Sequence, residues 1–579
     1  MAETTSQSAS QSITHQLGSF ATSPNGLLLI GCVTLLALLG LIPRKTKRQI
    51  ARGKFAGARE RACARKLAIA QLKQQTHNEV ALWIGEPPKA KTVKSRGKSQ
   101  YIHPPHAKTF YVPDAQRGVL VCGGPGSGKS FSAIEPLVRS SIRQGFPILL
   151  YDFKYPRQTS RLAGLAREHG YEVSMFAPGY PESVTCNPLD FLDSEGDAET
   201  ARQLAEVLNA NFKRISSSAG SVSADNPFFD NAGVQLTEAI LMLAKGSRYP
   251  DITTCTCLLQ LENLAARLSE AELNYWVKTS FGQLIATAGS PETIGSIIST
   301  AFVNFNRFMK PGLLSAFCGK TTMPLDLQGR QMLVFGMDRQ RRDVVGPLVA
   351  TILHLIVERN VSVRRSRPLV VALDELTTFY LPRLGHWLNE SREDGFVGLL
   401  GFQNLAQLER MWGKEGARIV MAGAGTKMCF NPQEFEAAET FSRYLGEEDV
   451  RLKQKSRGHS GGKGSSNVSD QDRTRKLFDT NQFLTLPTGY CIAVSPGLAN
   501  QQQASLPARL AVSISRRELR EVEHSRASFE RDLLRLRRKH QTEPMSEGEL
   551  KSRYDEAERL LPETKKASSP FKGFRMPGP

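Results

Sequence analysis

An apolar run, Val119-Leu120-Val121-Cys122, feeds directly into Gly123-Gly124-Pro125-Gly126-Ser127-Gly128-Lys129-Ser130, and no other stretch restricts this 579-residue chain as tightly. The pattern is GxxxxGK[ST]. Its glycine-rich turn lets successive backbone N–H groups face a polyphosphate, Lys129 reaches the outer phosphates, and the Ser130 hydroxyl ligates Mg2+. The motif works between a buried strand and a helix N-terminus, where unpaired donors and the dipole favour anions. Phe131 to Ile142 are mostly helix-compatible, with Pro136 the one residue out of place. The chain is expected to bind a nucleoside triphosphate with Mg2+.

The partner of such a loop in chemistry is a second buried strand ending in acids. Leu369-Val370-Val371-Ala372-Leu373 closes on Asp374-Glu375. Asp374 is placed to hold Mg2+ and Glu375 to polarise the attacking water. A further strand, Gly398 to Phe402, presents Gln403 at its carboxyl end, where an amide can orient water or sense the terminal phosphate; a hydrogen bond at the core edge is the alternative. Apolar strands at Pro147 to Tyr151, Tyr171 to Phe176 with Cys186 to Asp190, and Gln331 to Met337 alternate with helical runs, which predicts a parallel-rich sheet covered by helices. From about Asp193 to Lys310 only helix-period segments occur, read as an all-α insertion. Tyr490 to Val494 and Leu510 to Ile514 read as the last strands, followed by an a/d rhythm of Leu519, Val522, Phe529, Leu533 and Leu536, interrupted by Arg526.

The other end of the chain has a different chemistry. The first 25 residues carry a single charged side chain, Glu3, and have the composition of disorder. Gly26 to Ile42 is an uncharged apolar run of about 26 Å as a helix, just enough to span a hydrocarbon core of about 30 Å. Arg44, Lys45, Lys47 and Arg48 follow it, the reverse of a secretory signal, so the N-terminus is expected outside and the rest in the cytoplasm. Most of the formal charge of +19 sits between Arg44 and Gln100, with sixteen Lys or Arg against Glu60, Glu79 and Glu86. Beside a membrane helix, anionic lipid is the favoured partner of this charge over DNA. Tyr101 to Pro113 reads as an extended linker, and Arg451 to Lys476, Gly/Ser-rich and basic, as a flexible loop or, alternatively, a pore-facing DNA contact. Nine cysteines show no pair at zinc-site spacing, and His103 with His106 lacks further ligands, so no metal beyond Mg2+ is indicated.

Taken together, Gly123 to Ser130, Pro136, Asp152-x-Lys154, Asn187-Pro188-Leu189, Leu373-Asp374-Glu375-Leu376 and Gln403 to Leu408 make the chain resemble the type IV secretion coupling proteins, the TraG/TraD-type ATPases of conjugative DNA transfer. The resemblance covers about residues 115 to 500. It implies a RecA-like motor domain, an all-α domain, an N-terminal membrane anchor, a homo-hexameric ring, and delivery of a relaxase-bound single-stranded DNA to a type IV secretion channel. It also puts Arg392, in Ser391-Arg392-Glu393-Asp394-Gly395, where an arginine is proposed to reach a neighbouring subunit's nucleotide. Two features depart from the pattern: one membrane helix where two are common, and Tyr155-Pro156 where Gly-Glu usually follows the lysine.

The sequence therefore reads as a disordered N-terminus (1–25), a transmembrane helix (26–43), a basic juxtamembrane segment and linker (44–114), a RecA-like α/β domain (115–192 and 311–514), an all-α domain (193–310) and a charged helical extension with a disordered tail (515–579). The expected activity is ATP hydrolysis at the bacterial inner membrane, with Lys129, Glu375, Gln403 and Arg392 in catalysis, Gly123, Gly124, Pro125, Gly126, Ser127, Gly128, Lys129 and Ser130 around ATP, and Ser130 with Asp374 on Mg2+. Expected partners are single-stranded DNA, a relaxase or other secreted protein, secretion-channel components and anionic lipid. The rival readings are a duplex-DNA pump of the FtsK/HerA kind and a receptor that docks protein cargo with nucleotide as a switch.

Overall fold

The computed structural model describes residues 53–85, 91–95, 98–102, 109–218, 227–460, 463–500, 503–539 and 544–563. The apolar run read as a membrane span, the His103/His106 pair and both chain ends lie outside the described residues. Contacts divide the chain into two bodies, one containing Gly446–Leu477 with the chain up to Gly53, the other the remainder.

The second body is built on a nine-stranded sheet. Its strands are β1 (Val119–Cys122), β2 (Ile148–Asp152), β3 (Glu172–Phe176), β4 (Gln331–Gly336), β5 (Leu369–Leu373), β6 (Phe396–Phe402), β7 (Thr426–Cys429), β8 (Tyr490–Ser495) and β9 (Leu506–Ala511). They lie side by side in the order β9-β8-β7-β1-β6-β5-β2-β4-β3. Every pairing from β3 across to β7 is parallel, while β7–β8 and β8–β9 are antiparallel. The inner strands β1, β2, β5 and β6 are buried at every residue, which is why they read as unbroken apolar runs: helices cover both faces. Within β1 the alternation still decides the partners, because Leu120 and Cys122 join one core and Val119 and Val121 the other.

One face is packed by the helices Glu135–Gln144 and Arg157–Glu168, and the other carries the helical segment Ala198 to Phe317 together with Arg342–Val361. That last helix is long and apolar enough to cross a membrane, but 83% of its apolar window is buried inside the protein, as befits a core helix. The helical segment shares a single core with the sheet, Leu204, Leu208 and Phe212 falling in the same cluster as Tyr151 and Phe176.

Several local expectations are corrected. Cys186 to Asp190 is no strand: the Asn187 side chain accepts from the N–H of Leu189 and caps a short 3-10 turn, Pro188–Phe191. The last strand starts earlier than expected, at Leu506, and tolerates Pro507 because β9 is the edge of the sheet. The stretch read as a basic segment and linker contains the helix Ala58–Gln74 and a strand Leu82–Ile84 paired with Phe110–Val112. Ala64, Ala68 and Val80 to Ile84 are buried there, a short apolar signal overshadowed by the surrounding charge. The Gly/Ser-rich loop is an antiparallel hairpin, Glu447–Ser460 with Lys463–Lys476. Beyond the sheet, the helix Arg516–Lys539 lies along Arg157–Glu168, and Glu547–Leu560 packs on Ile252–Leu259.

Candidate nucleotide site

Where β1 ends, the loop turns on Gly126 (φ 76°) and Gly128 (φ 97°), left-handed conformations that side chains beyond glycine resist. Neighbouring segments hold the loop from outside. Gly124 N–H donates to Asn431 O at 2.9 Å, Gln433 Nε2 to Pro125 O at 3.1 Å, and Gly489 N–H to Ser127 O at 3.0 Å. The following helix opens with a π turn, Ser130–Ile134, in which the Glu135 N–H reaches back to Ser130 O, and Pro136 then stands in the first turn of the regular helix. Proline has no N–H to give there, so its place at a helix start explains what looked anomalous in the sequence.

β6 lies between β1 and β5, and this brings Gln403 to the two motifs. Lys129 Nζ donates to Asp374 Oδ1 at 2.8 Å and lies 3.8 Å from Glu375 Oε1. Ser130 Oγ and Gln158 Nε2 both donate to Asp374 Oδ2, and Gln403 Nε2 donates to Glu375 Oε1. The approach is close enough to require a glycine in β6: a Cβ on Gly401 would stand 2.6 Å from Asp374 O and 2.7 Å from its Oδ1. Burial opposes charge on Lys129, yet the Asp374 and Glu375 carboxylates outweigh it and hold the ammonium above the usual lysine range. Burial, helped by Asp374, pushes the Glu375 carboxyl up against the pull of Lys129 and Gln403.

These groups line a cavity of about 390 Å³. Phe131, Glu135, Lys154, Arg157, Gln158 and Arg161 share its wall. Arg161 spans two of them, donating to Glu135 Oε1 at 2.7 Å with its guanidinium 5.1 Å from the Phe131 ring centre. Asp152 is structural: its Oδ2 accepts from the N–H groups of Gln158 and Thr159 and from Thr159 Oγ1, each at 2.9 Å, and so fixes the start of the helix that carries the new residues. Burial raises its pKa despite these donors. Sequence reasoning missed Arg157, Gln158 and Arg161; their only signal was the i, i+4 arginine pair at the start of the helix after β2. A hydroxyl and a carboxylate are hard donors, so Ser130 and Asp374 fit Mg2+, and the buried Gln158 Oε1 stands unpartnered on the side chain that meets the same carboxylate.

Arg392 does not join this cavity. It sits in the turn before β6, at the opposite end of the strand from Gln403. A larger cavity of about 610 Å³, between the helix Ala58–Gln74 and β9, is lined by Pro136 but by none of the phosphate-loop residues and by neither Asp374, Glu375 nor Gln403.

A largely parallel sheet whose central strand runs into a phosphate loop, with an Asp-Glu strand one place removed across β6, defines a RecA-like P-loop fold. Residues 368–488 match the family described as the TraM recognition site of TraD and TraG, and the resemblance to the TraG/TraD-type coupling proteins is borne out. Solved structures of the bacterial conjugative coupling protein TrwB share the fold. Its unbound form is 15% identical with a TM-score of 0.53, covering 82% of this chain and 96% of that one. The complex with ADP and Mg2+ is 16% identical with a TM-score of 0.53 (82% and 97% covered), and the complex with the non-hydrolysable ATP analogue ADPNP is 15% identical with a TM-score of 0.54 (82% and 96% covered). No curated protein sequence matches the chain.

Proposed function

We propose that the chain is a membrane-anchored ATPase that couples relaxase-bound single-stranded DNA to a type IV secretion channel during conjugation, acting as a homo-hexamer at the bacterial inner membrane. The convergence of Lys129, Ser130, Asp374, Glu375 and Gln403 on one cavity carries this reading. Lys129, kept charged by its carboxylate neighbours, binds the outer phosphates of ATP. Ser130 and Asp374 hold Mg2+, which neutralises charge on the phosphates. Glu375, held by Gln403, takes the proton of the attacking water as the water oxygen bonds to the γ-phosphorus and ADP leaves. Arg392 serves a neighbouring subunit's site, since it stands away from its own. The family match over residues 368–488, described as the TraM recognition site of TraD and TraG, and the two nucleotide-bound TrwB neighbours support the coupling role. The hairpin strand Glu447–Ser460 carries Arg451, Lys453, Lys455 and Arg457, a run of basic residues that suits DNA phosphates. Gly26 to Ile42 supplies the anchor and the basic residues after it meet anionic lipid.

Phosphate release by the purified protein, with and without single-stranded DNA, tests the reading. Lys129→Ala is expected to weaken nucleotide binding or turnover, whereas Glu375→Gln retains ATP and stops the chemistry. Turnover that survives both substitutions, or that ignores DNA in the assembled oligomer at low salt, refutes the motor and favours a cargo receptor.

A further inference from the structure

Gln158 is built into the cavity more firmly than a lining residue needs to be. Its backbone N–H is taken by Asp152 Oδ2 at 2.9 Å, so the main chain is fixed. The residue is only 7% exposed, and Nε2 donates to the same Asp374 oxygen that Ser130 Oγ meets. Because a carboxylate only accepts, the amide must present nitrogen to Asp374, which leaves Oε1 as a second, separate function. That oxygen is buried and has no hydrogen-bond partner. A buried amide oxygen without a donor weakens a fold, and an apolar side chain of the same length would fill the space without that cost. The unpaired acceptor therefore points to a ligand, one that brings donors to the place where Ser130 and Asp374 already converge.

We propose that Gln158 is a positioning residue for the divalent cation of the nucleotide: Nε2 sets the orientation of the Asp374 carboxylate, and Oε1 accepts a hydrogen bond from the cation's hydration shell. Mg2+ sheds its water reluctantly and keeps several molecules when bound beside phosphates, so an acceptor for that retained water governs how firmly it is held. Neighbours that orient a metal's ligands govern its affinity in the same way. The inference rests on the reading of this cavity as an ATP site, and assigns to its far wall a task that neither the phosphate loop nor the Asp374-Glu375 pair performs.

The test is the Mg2+ dependence of binding of an N-methylanthraniloyl ATP to the full-length protein, followed by fluorescence, with the same titration in EDTA. Gln158→Met is expected to raise the Mg2+ concentration for half-maximal tightening by about tenfold, in keeping with the loss of an outer-shell partner. Its affinity in EDTA should match that of the wild type. Gln158→Asn, which keeps the amide but shortens its reach by one methylene, is expected to raise the Mg2+ requirement in the same way, again with unchanged affinity in EDTA. An unchanged Mg2+ requirement in Gln158→Met overturns the inference, as does an equal loss of affinity with and without Mg2+, which marks a packing role. If Gln158→Met fails to fold, Gln158→Asn decides: a raised requirement with unchanged affinity in EDTA supports the proposal, and an unchanged requirement, or an equal loss with and without Mg2+, overturns it. A wild-type protein that takes up no nucleotide refutes the ATP site itself, a failure distinct from wild-type binding with an unaltered variant.

Discussion

Glu135→Gln exchanges one carboxylate oxygen for an amide nitrogen in the wall of the cavity and removes a titration that the fold has displaced. Glu135 is fully buried; one oxygen accepts from Arg161 and the other, Oε2, has no partner. Burial pushes the carboxyl up from its ordinary 4.5 to about 7, and the nearby Arg161 and Arg139 only partly restrain it. The folded protein thus keeps this proton until about pH 7, while the unfolded chain gives it up near pH 4.5. With the folded value raised, the contribution to stability is complete below the unfolded value and is lost as pH rises through the folded one. A displacement of that size corresponds to about 3 kcal/mol. Glutamine does not titrate, so the stability of the variant relative to wild type should rise by about 3 kcal/mol between pH 4.5 and about pH 8. For a cooperative unit of roughly 500 residues this is about 3 °C in melting temperature. Paired thermal melts of the two proteins across that range, in the same detergent and salt, isolate the effect from every other titrating group. A difference that stays flat, or that shrinks as pH rises, refutes the reasoning.

Gly164→Val should loosen the C-terminal helix, because even a Cβ at Gly164 would stand 2.6 Å from the Cα and the carbonyl oxygen of Ser525, and backbone cannot move aside as a side chain can. A loss of about 1–3 kcal/mol is expected for such overpacking, read as a lower melting temperature together with faster proteolysis of Arg516–Lys539. Arg392→Ala should cut turnover by about 10³-fold with ATP binding intact, and mixing these subunits with Glu375→Gln subunits should restore some activity; no rescue at any ratio would make the arginine a structural group. Replacing Lys453, Lys455, Arg457 and Lys463 with Ser should flatten the dependence of single-stranded DNA affinity on salt by a log–log slope of about 3, at about 0.7 per lost phosphate contact; an unaltered slope removes the hairpin from the DNA path.

What the sequence disclosed was whatever lies close along the chain. The phosphate loop, the Asp374-Glu375 strand end and Gln403 each follow an apolar run by one or two residues, so the strand signal and the chemistry arrive together. Gln158 was hidden because its meaning depends on Asp374, 216 residues away, and on a sheet order that no local pattern encodes. Composition misled in two places: charge concealed the buried Val80 to Ile84, and Gly/Ser content concealed the hairpin Glu447–Ser460 with Lys463–Lys476. The interrupted rhythm of the C-terminal helix has a packing cause. Val522, Ser525 and Phe529 form the buried stripe, with Ser525 small enough to meet Gly164, while Leu519 and Arg526 face outward.

The strand β6 has a mechanical consequence. Its seven residues are hydrogen-bonded to β5 on one side, Phe396 to Leu400 against Leu369 to Leu373, and to β1 on the other, Leu399 to Phe402 against Val119 to Cys122. Clamped by two ladders, it cannot slide or buckle on its own, and it behaves as a rod about 20 Å long. Gln403, touching Glu375, is at one tip; the turn bearing Arg392 is at the other. The two tips are therefore held at a fixed separation, with the Arg392 turn on the rim of the sheet opposite the one where Gln403 meets Glu375.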